Sequence, residues 1–424
     1  MKTNHQALGL HEDNLKILGH QLKQVRLKRD YSLRGMARAM HLSPSVIADI
    51  EEGRRITTCD VLAQMFGHLN MVFLHDPILI KAAIADCKLY HEALYHRNHD
   101  FATEIYARLE AVTPSLEHSP LLVEMQWVRV AHKFFVKADY DLTQLEAYTS
   151  YIQYFSEEQT QRYYFLLGYA YLYQDAPETG FAYLMKARQF TANNRLYGMT
   201  LTRLAELHQY RHELYQAIET SRLASKIHAE NANVYEKFES DWRLARNLIE
   251  VGSNDEARIL ITHMEASLLV NSEENGWVLS HVRFLRALAE YMIGHAEGAL
   301  RVMAQHDDML NLEYGRFFHA LVLDTLGRTT EALATLKQQL ADHPDSTSVF
   351  KDLAVYFMHY LDKETQVSEF EAHLEPFLNK PNKIPSPFIY HWVLDCAVRF
   401  LEGRGEIAKA FEIAKHALAN RTFY

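Results

Sequence analysis

One spacing recurs through most of this chain and restricts its fold more than any other feature. A glycine at a predicted turn is followed five residues later by an alanine in four places, Gly252 and Ala257, Gly294 and Ala299, Gly327 and Ala332, and Gly405 and Ala410. Around these points the sequence from Ile78 onward shows amphipathic helical patterns, and Gly and Pro cluster between them. A small residue at a fixed distance from a turn predicts helices that approach closely there, because a larger side chain would push them apart.

The clearest copy of this repeat, from Leu326 to Leu333, is followed by Leu336 and by Pro344. It resembles the tetratricopeptide repeat, a helix pair of 34 residues. Weaker copies pair Gly180 with Ala187 and Ala217 with Ala224, so the small positions fall at residues 180, 217, 257, 299, 332 and 410. Extrapolation to units near 81–113 and 119–155 gives about eight or nine helix pairs in a repeat domain over residues 78–424. The resemblance implies an all-α right-handed superhelix with a concave inner face.

A different pattern occupies residues 32–53, near the N-terminus. Ser32 and Ser43 are good N-cap residues, and Pro44 fits the first position of a helix. Gly53 can supply the positive φ that ends the second helix. The connection between the two helices is short, so they are predicted to cross steeply, as in a helix-turn-helix.

The segment from Leu18 to Asn70 resembles the helix-turn-helix domain of the Cro and lambda-repressor type. Residues 18–26 are similar to its first helix, 49–55 to the end of its recognition helix and 60–67 to its fourth helix. The sequence departs from the family pattern at Leu33, where many relatives have Gln, and at Asp49 on the recognition helix. The resemblance implies a DNA-binding domain over residues 14–73, after a flexible N-terminus at residues 1–13. The alternative is a small helical domain that has lost DNA binding.

The resemblance also implies which side chains contact DNA. Base-edge contacts are expected from Ser43, Ser45, Val46 and Asp49, and phosphate contacts from Arg34, Arg54 and Arg55. On the first helix, a set of basic residues is predicted to be exposed: Lys16, Lys23, Arg26, Lys28 and Arg29. Residues 1–70 contain ten Lys and Arg against seven Asp and Glu, about +3, whereas the whole chain carries −10. A basic head of this modest charge is expected to need a second head, and therefore a homodimer on a palindromic operator.

The concave face of the repeats is predicted to bind a peptide. Counting back from each turn places these candidates on the inner face: Arg129, Arg162, Tyr169, Arg203, Trp242, Arg243, Arg246, Asn247 and His281. Arg129, Arg203 and Arg243 occupy nearly equivalent places in their repeats, so they are candidates for holding a peptide carboxylate. The alternative is that each arginine pairs with a neighbouring Glu or Asp of the acidic repeat domain.

The order of the two parts resembles the RRNPP group of peptide-pheromone receptors, and within it the PlcR and NprR branch. The resemblance implies a transcription regulator for quorum sensing, in which a short signalling peptide binds the groove and alters the dimer. Relatives often use an inward Asn to hold the peptide backbone, and Asn247 is the nearest candidate here. Two alternatives remain: a repeat module that sequesters a partner protein, as response-regulator-sequestering relatives do, and a helix-turn-helix regulator that responds to a non-peptide ligand.

Several other functions are not favoured by the sequence. The three cysteines are far apart, which fits a reducing cytoplasm and excludes a disulfide framework or a Cys-rich zinc site. His91 and His96 are five residues apart rather than the four of a zinc-binding HExxH helix. The chain shows no phosphate-binding Gly-rich loop, no nucleophile elbow, no signal peptide and no long apolar run. An enzyme, a cofactor, a bound metal and a membrane partner are therefore not expected.

Overall fold

The fold is described from a computed structural model, which describes residues 11–74, 76–116, 118–174, 176–269, 276–379, 384 and 386–419. Within these ranges the regular structure is helical and contains no strand. The chain divides into two compact units. The first unit is Met1–Arg203 with Ile227–Glu236, and the second unit is Leu204–Lys226 with Lys237–Tyr424.

The first unit begins with a four-helix head. Its helices are α1 (Asn14–Lys28), α2 (Leu33–Ala39), α3 (Pro44–Glu51) and α4 (Cys59–His68). Their apolar faces meet in one core, in which Leu18, Leu22, Met36, Ile47 and Phe66 are all fully buried. Most of the predicted flexible segment, residues 1–10, lies outside the described residues.

The remainder of the first unit consists of longer helices. They are α5 (Pro77–Tyr95), α6 (His99–Leu116), α7 (Leu122–Phe135), the short α8 (Thr143–Glu146), a 3-10 helix (Thr149–Tyr154), α9 (Glu157–Tyr173) and α10 (Pro177–Ala187). The division between the units passes through the next three helices, α11 (Asn194–Tyr210), α12 (Leu214–Glu230) and α13 (Val234–Glu250).

The second unit continues the same alternation. Its further helices are α14 (Asn254–Leu269), α15 (Gly276–Met292), α16 (Ala296–Gln305), a 3-10 helix (Asp307–Asn311), α17 (Glu313–Thr325), α18 (Thr329–Asp342), α19 (Val349–Leu361), α20 (Val367–Asn379), α21 (Pro387–Gly403) and α22 (Ile407–Ala419). None of the described helices is both long enough and apolar enough to cross a membrane.

The spacing seen in the sequence has a structural basis at the turn inside each helix pair. Gly252, Gly294, Gly327 and Gly405 all have positive φ, between 73° and 86°. Each is followed five residues later by an alanine at the fourth position of the next helix, and Ala257, Ala299, Ala332 and Ala410 are at most 3% exposed. The same geometry occurs without glycine in two further pairs: Arg97 and His212 have positive φ, and Ala102 and Ala217 are fully buried.

The predicted Gly180 position is also a point of close helix contact. It is the fourth residue of α10 and faces Gly168 of α9. A Cβ atom on Gly180 would lie 2.9 Å from the carbonyl oxygen of Gly168, and one on Gly168 would lie 3.0 Å from that of Gly180. Two glycines are therefore needed for these helices to touch through their backbones.

The predicted fold class, an all-α chain with an N-terminal helix-turn-helix domain followed by tetratricopeptide-like pairs, is confirmed. In the described residues after Pro77, α7 is followed by the short α8 and a 3-10 helix, whereas the other pairs have two full helices. The proposed domain boundaries stay a prediction.

Candidate functional site

The helix-turn-helix is built by hydroxyl caps on two successive helices. Ser32 Oγ accepts a hydrogen bond from Gly35 N at 2.9 Å, and Ser43 Oγ accepts one from Val46 N at 3.3 Å. His41, with φ of 55°, makes the short connection between α2 and α3. These caps satisfy amide groups that a helix start leaves unpaired, and so they fix where α3 begins.

The N-terminal end of α3 is accessible to a partner. Ser43 and Ser45 are exposed, and their hydroxyl oxygens lie 2.8 Å apart. Val46 and Asp49 are half-buried, while the core side of the helix is formed by Ile47 and Ile50. All four residues predicted to contact base edges are thus at least partly accessible on α3.

The three arginines predicted to contact phosphates differ in their surroundings. Arg54 makes ion pairs with Asp49, at 2.8 Å, and with Glu52. Arg34 and Arg55 are exposed and have no carboxylate within ion-pair distance in the part of the chain that the structure describes. A phosphate at Arg54 would therefore compete with two carboxylates, whereas one at Arg34 or Arg55 would not.

One predicted exposed residue of α1 is buried instead. Arg26 is only 6% exposed, and its guanidinium makes a bidentate contact with Glu51 at 2.6 and 2.8 Å. It also donates to the carbonyl oxygen of Tyr31 at 2.8 Å. The prediction that Arg26 belongs to the exposed basic face was wrong, because its side chain ties α1 to the last turn of α3.

The head contacts the repeats of the first unit through a closed set of amide hydrogen bonds. Asn14 Nδ2 donates to the side-chain oxygen of Gln159 at 3.2 Å and to the carbonyl oxygen of Tyr154 at 3.1 Å. Gln159 Nε2 donates to Asn14 Oδ1 at 2.9 Å and to Glu124 at 2.8 Å, and its oxygen accepts from Ser156 N at 3.0 Å. Asn14 and Gln159 are nearly fully buried.

Aromatic rings extend this contact along α1. The ring of His20 lies 5.4 Å from that of Tyr151 and 5.9 Å from that of Tyr154. Burial, and secondarily the charge of Lys23, lowers the pKa of His20. The hydroxyl of Tyr154 also approaches Gly53, where an added Cβ would lie 2.9 Å from it. Both α1 and the turn after α3 are therefore held by the repeats.

All five arginines predicted to contact a peptide make ion pairs with carboxylates. The pairs are Arg129 with Glu110 (2.9 Å), Arg162 with Glu158 (3.1 Å), Arg203 with Glu236 (3.9 Å), Arg243 with Glu206 (3.1 Å) and Arg246 with Glu250 (3.6 Å). The structure thus shows the arrangement that the sequence left as the alternative. Their assignment to a peptide stays a prediction.

In the first unit, the helices α5, α7, α9 and α11 line a cavity of about 340 Å³ that combines apolar and charged side chains. Arg162 lines this cavity, together with Lys88, Glu92 and Arg195. Tyr169 lies outside this lining, in an aromatic cluster where its ring is 4.6 Å from Phe135 and 5.9 Å from the guanidinium of Arg203. Two predicted residues, Tyr169 and Arg203, are therefore brought together here.

In the first unit, residues at the end of α5 make long-range contacts with α12 and α13. The Tyr95 hydroxyl lies 3.1 Å from His228 Nδ1, and Asn233 Nδ2 donates to the carbonyl oxygen of Tyr95 at 2.5 Å. Arg97 donates twice to one carboxylate oxygen of Glu236, at 2.9 and 3.1 Å. The end of α5 is thereby joined to the α12–α13 turn, a contact that sequence patterns along single helices could not reveal.

In the second unit, an apolar cleft of about 120 Å³ lies among α13, α15, α17, α19 and the start of α21. We call it the aromatic cleft, and its lining includes Trp242, Arg246, Glu250, Phe284, Leu288, Tyr314, Phe317, Phe350 and Phe388. The rings of Trp242 and Tyr314 each approach His281, at 6.3 and 5.6 Å. The predicted Trp242, Arg246 and His281 are thus close together, whereas Phe350 and Phe388 were missed by repeat counting.

The base of the aromatic cleft holds a buried ion pair. Arg246 Nε lies 3.6 Å from Glu250, which also accepts hydrogen bonds from the backbone amide of Phe388 at 3.3 Å and from the side chain of Ser386. Burial lowers the pKa of Arg246 and raises the pKa of Glu250, since both charged forms lose solvent. The two charges offset each other, so the cleft presents little net charge to a ligand.

Some polar atoms around the aromatic cleft have no hydrogen-bond partner within the described residues. They include Trp242 Nε1 and the Tyr314 hydroxyl, and both amide atoms of Asn247 nearby in α13. Asn247 is fully buried, so a ligand could reach it only after its neighbours move. Buried polar atoms are usually paired, and those that are not call for an explanation.

Nothing in the described residues suggests a metal site. No cluster of three or more His, Cys, Asp or Glu that could hold a metal occurs among the residues that the structure describes. His91 lines the 340 Å³ cavity of the first unit, while His96 contacts Glu92 at 3.2 Å.

Comparisons with known proteins give a family for the head and a fold for the chain. Residues 17–70 match the sequence model described as a helix-turn-helix domain. No curated protein sequence matches the chain. The chain therefore has a helix-turn-helix domain where the sequence predicted one.

The solved structures with a similar fold include Rap proteins and the quorum sensor NprR. A Rap protein complexed with competence and sporulation factor has a TM-score of 0.62 at 9% identity, covering 81% of this chain and 98% of that one. The apo form of the quorum sensor NprR from B. thuringiensis has a TM-score of 0.61 at 14% identity, covering 80% and 99%. NprR in complex with its cognate peptide NprX has a TM-score of 0.60 at the same identity and coverage. At these identities the likeness shows the fold.

Proposed function

We propose that this protein is a cytoplasmic transcription regulator that binds DNA through its head as a homodimer, and that a short signalling peptide controls this binding. The observation that carries the proposal is the accessible N-terminal end of α3, fixed by the Ser43 cap, in a domain that matches helix-turn-helix proteins. Helix N-termini of this kind enter the major groove with their first residues at the base edges.

The residues of α3 suit this role chemically. Ser43 and Ser45 offer exposed hydroxyls that can donate to or accept from bases, and Val46 can contact a thymine methyl group. Asp49 would accept from a cytosine amine. Arg34, Arg54 and Arg55 supply positive charge beside the helix for the phosphates.

Control by a peptide is supported by the fold and by the aromatic cleft. NprR, which shares the fold, has been solved with a cognate peptide. The aromatic cleft combines an apolar lining with Trp242 and Arg246, two of the residues predicted to contact a peptide. Clefts of this composition are the usual place for a ligand with apolar groups.

The first experiment tests the head. Full-length protein should shift a fragment carrying a palindromic operator, selected from random-sequence DNA by the protein itself, and a chain lacking residues 1–75 should not. Arg54→Ala should weaken binding to all sequences and lower the slope of log K against log salt by about 1. Arg258→Ala is a matched control, because Arg258 is similarly exposed but lies on α14 of the second unit.

Persistent operator binding after deletion of residues 1–75 would remove the head from the proposal. An unchanged salt slope would remove Arg54 alone from the phosphate contacts.

The second experiment tests control. A short synthetic peptide from a panel, added to the protein–DNA complex, should change the dissociation constant for DNA, and calorimetry should show that the same peptide binds the protein directly. If calorimetry finds that only non-peptide molecules bind and alter DNA binding, the ligand is of another class.

One observation favours a second candidate, in which the repeats bind a partner protein. The chain outside residues 1–70 carries a net charge of about −13. Such a surface avoids nucleic acid and can attract a basic protein. Recovery of a stoichiometric protein partner, with no operator selected from random DNA, would favour this candidate.

A further inference from the structure

The aromatic cleft of the second unit has a composition that restricts its ligand. Phe284, Tyr314, Phe317 and Phe350 contribute ring surfaces, and Leu288 fills the space between helices. Neighbouring rings meet edge to face, for example Phe284 and Tyr314 at 4.6 Å. A further apolar group in the cleft could contact these rings edge to face or offset, which are the arrangements that aromatic rings prefer.

Two donors at the cleft constrain the ligand further. Trp242 Nε1 and the Tyr314 hydroxyl have no hydrogen-bond partner among the described residues. Both atoms are buried, so, as for Asn247, an acceptor reaches them only when neighbouring side chains move. The indole N–H can only donate, and the phenol donates readily. Burial of such groups without an acceptor is unfavourable, so an occupant that brings acceptor oxygens gains more here than a hydrocarbon would.

The ion pair at the base of the cleft acts against an acidic ligand. Arg246 is already neutralised by Glu250 at 3.6 Å. A carboxylate placed in this apolar space would lose its hydration and would approach the Glu250 carboxylate. The sequence-based prediction of a carboxylate site concerned Arg129, Arg203 and Arg243, and it did not include Arg246.

We infer that the aromatic cleft binds one large apolar side chain of the peptide, Leu-sized or Phe-sized, while backbone carbonyl oxygens beside it accept hydrogen bonds from Trp242 Nε1 and the Tyr314 hydroxyl. The inference rests on the proposed function for the existence of a peptide ligand. It adds the class of residue that the peptide presents, and it excludes Asp and Glu at that position.

Blocked amino acids provide probes for the full-length protein. N-acetyl-L-phenylalanine amide and N-acetyl-L-leucine amide carry both an apolar side chain and two carbonyl groups, whereas N-acetyl-L-aspartic acid amide carries a charge and toluene has no acceptor. Titration followed by saturation-transfer NMR should show binding of the first two probes at least tenfold tighter than binding of the other two. Equal or tighter binding of the aspartate probe, or toluene binding as tight as that of the phenylalanine probe, would overturn the inference.

Tyr314→Phe tests the donor without changing the shape of the cleft. Loss of one hydrogen bond should weaken binding of the phenylalanine probe about fivefold. The stability of the protein to urea should stay the same or rise, because the variant removes a buried hydroxyl without a protein partner. If the hydroxyl had only a structural role, the variant would instead lower the stability to urea and leave the probe affinity unchanged.

Tyr356→Phe is the matched control in the same unit. Tyr356 is also buried, but its hydroxyl donates to the carbonyl oxygen of Val393 at 2.7 Å. Its replacement should lower the urea midpoint and leave probe affinity unchanged. If Tyr314→Phe behaves like Tyr356→Phe in both measurements, the Tyr314 hydroxyl is not a ligand donor.

The results separate this inference from the proposed function. Probe binding with the predicted ranking, together with a failure to select any operator, would contradict DNA regulation while leaving the chemistry of the cleft in place. Operator binding that responds to a peptide, together with no probe binding, would place the ligand elsewhere and refute the inference.

Discussion

The buried ion pair between Arg26 and Glu51 gives the sharpest prediction about the head. Arg26 lies in α1 and Glu51 at the end of α3, and their side chains are 8% and 1% exposed. Arg26 Nε donates to Glu51 Oε1 at 2.6 Å, and Arg26 Nη2 donates to Glu51 Oε2 at 2.8 Å. The side-chain hydrogen bond to Glu51 raises the pKa of Arg26, so the guanidinium stays charged at any ordinary pH.

Glu51→Gln removes the negative charge and keeps the size of the side chain. The buried guanidinium of Arg26 then has no counter-charge. The new side-chain amide also places an N–H donor against the guanidinium, which can only donate. Loss of one partner of a buried pair costs about 3–5 kcal/mol. Since 1.4 kcal/mol is a factor of ten, the unfolded population of the head should rise by more than about a hundredfold.

The adjacent residue provides a matched control. Glu52 pairs with Lys23 of α1 at 3.4 Å, and these side chains are 37% and 35% exposed. An exposed pair of this kind is worth about 0–1 kcal/mol, so Glu52→Gln should barely change the head. Both variants lose one negative charge at the same end of α3. Glu51 is buried, whereas Glu52, which also pairs with the exposed Arg54, is not.

Hydrogen exchange measured by mass spectrometry on the full chain can separate the head from the repeats. Amides of α1–α4 should lose protection in Glu51→Gln, whereas amides of the second unit should exchange as before. Equal protection of the head in the two variants would show that the Arg26–Glu51 pair contributes no more than a surface pair. The double variant Arg26→Met with Glu51→Leu should recover much of the protection, because two apolar groups need no counter-charge.

Two shorter predictions concern the repeats and the contact of the head with them. Ala332→Leu should lower the free energy of unfolding of the second unit by about 1–3 kcal/mol through overpacking, measured by urea denaturation, whereas Ala334→Leu on the exposed side of the same helix should change it little. Burial lowers the pKa of His20, so the folded state binds fewer protons than the unfolded state. The contribution of neutral His20 to the stability of the folded state is therefore fully present above pH 6.5 and is lost as the pH falls below that value. Exchange protection at the start of α1 should therefore decrease below pH 6.5, and His20→Gln should remove that dependence; a flat wild-type profile would contradict it.

The sequence was sufficient for the helix pairs wherever glycine made the turn. The turns at Gly252, Gly294 and Gly327 could be predicted from the sequence, because a turn residue with positive φ is most often glycine. Arg97 and His212 make the same turn at the cost of some strain, and no residue type marks them. The pair at Ala102 was therefore found only by extrapolation.

The site was less predictable because it depends on contacts between distant residues. Repeat counting placed Arg203 and Arg243 on inner faces, but it could not show that Glu236 and Glu206 would meet them. The same limit applies to Arg26, whose partner is 25 residues away. A helical pattern gives the face of a residue, while its charge partner depends on the packing of other helices.

The side of the head that contacts the repeats restricts how a ligand could control DNA binding. The contacts of the first unit involve Asn14 and His20 of α1 and the turn at Gly53, while Ser43 and Ser45 are exposed. The recognition helix therefore does not have to be uncovered before it enters a major groove. Under the proposed function, a peptide would therefore act on the position of the head, and hence on the spacing of the two heads in the proposed dimer. Control by spacing changes the affinity for a two-half-site operator far more than the affinity for one half-site, whereas control by covering α3 would change both by the same factor.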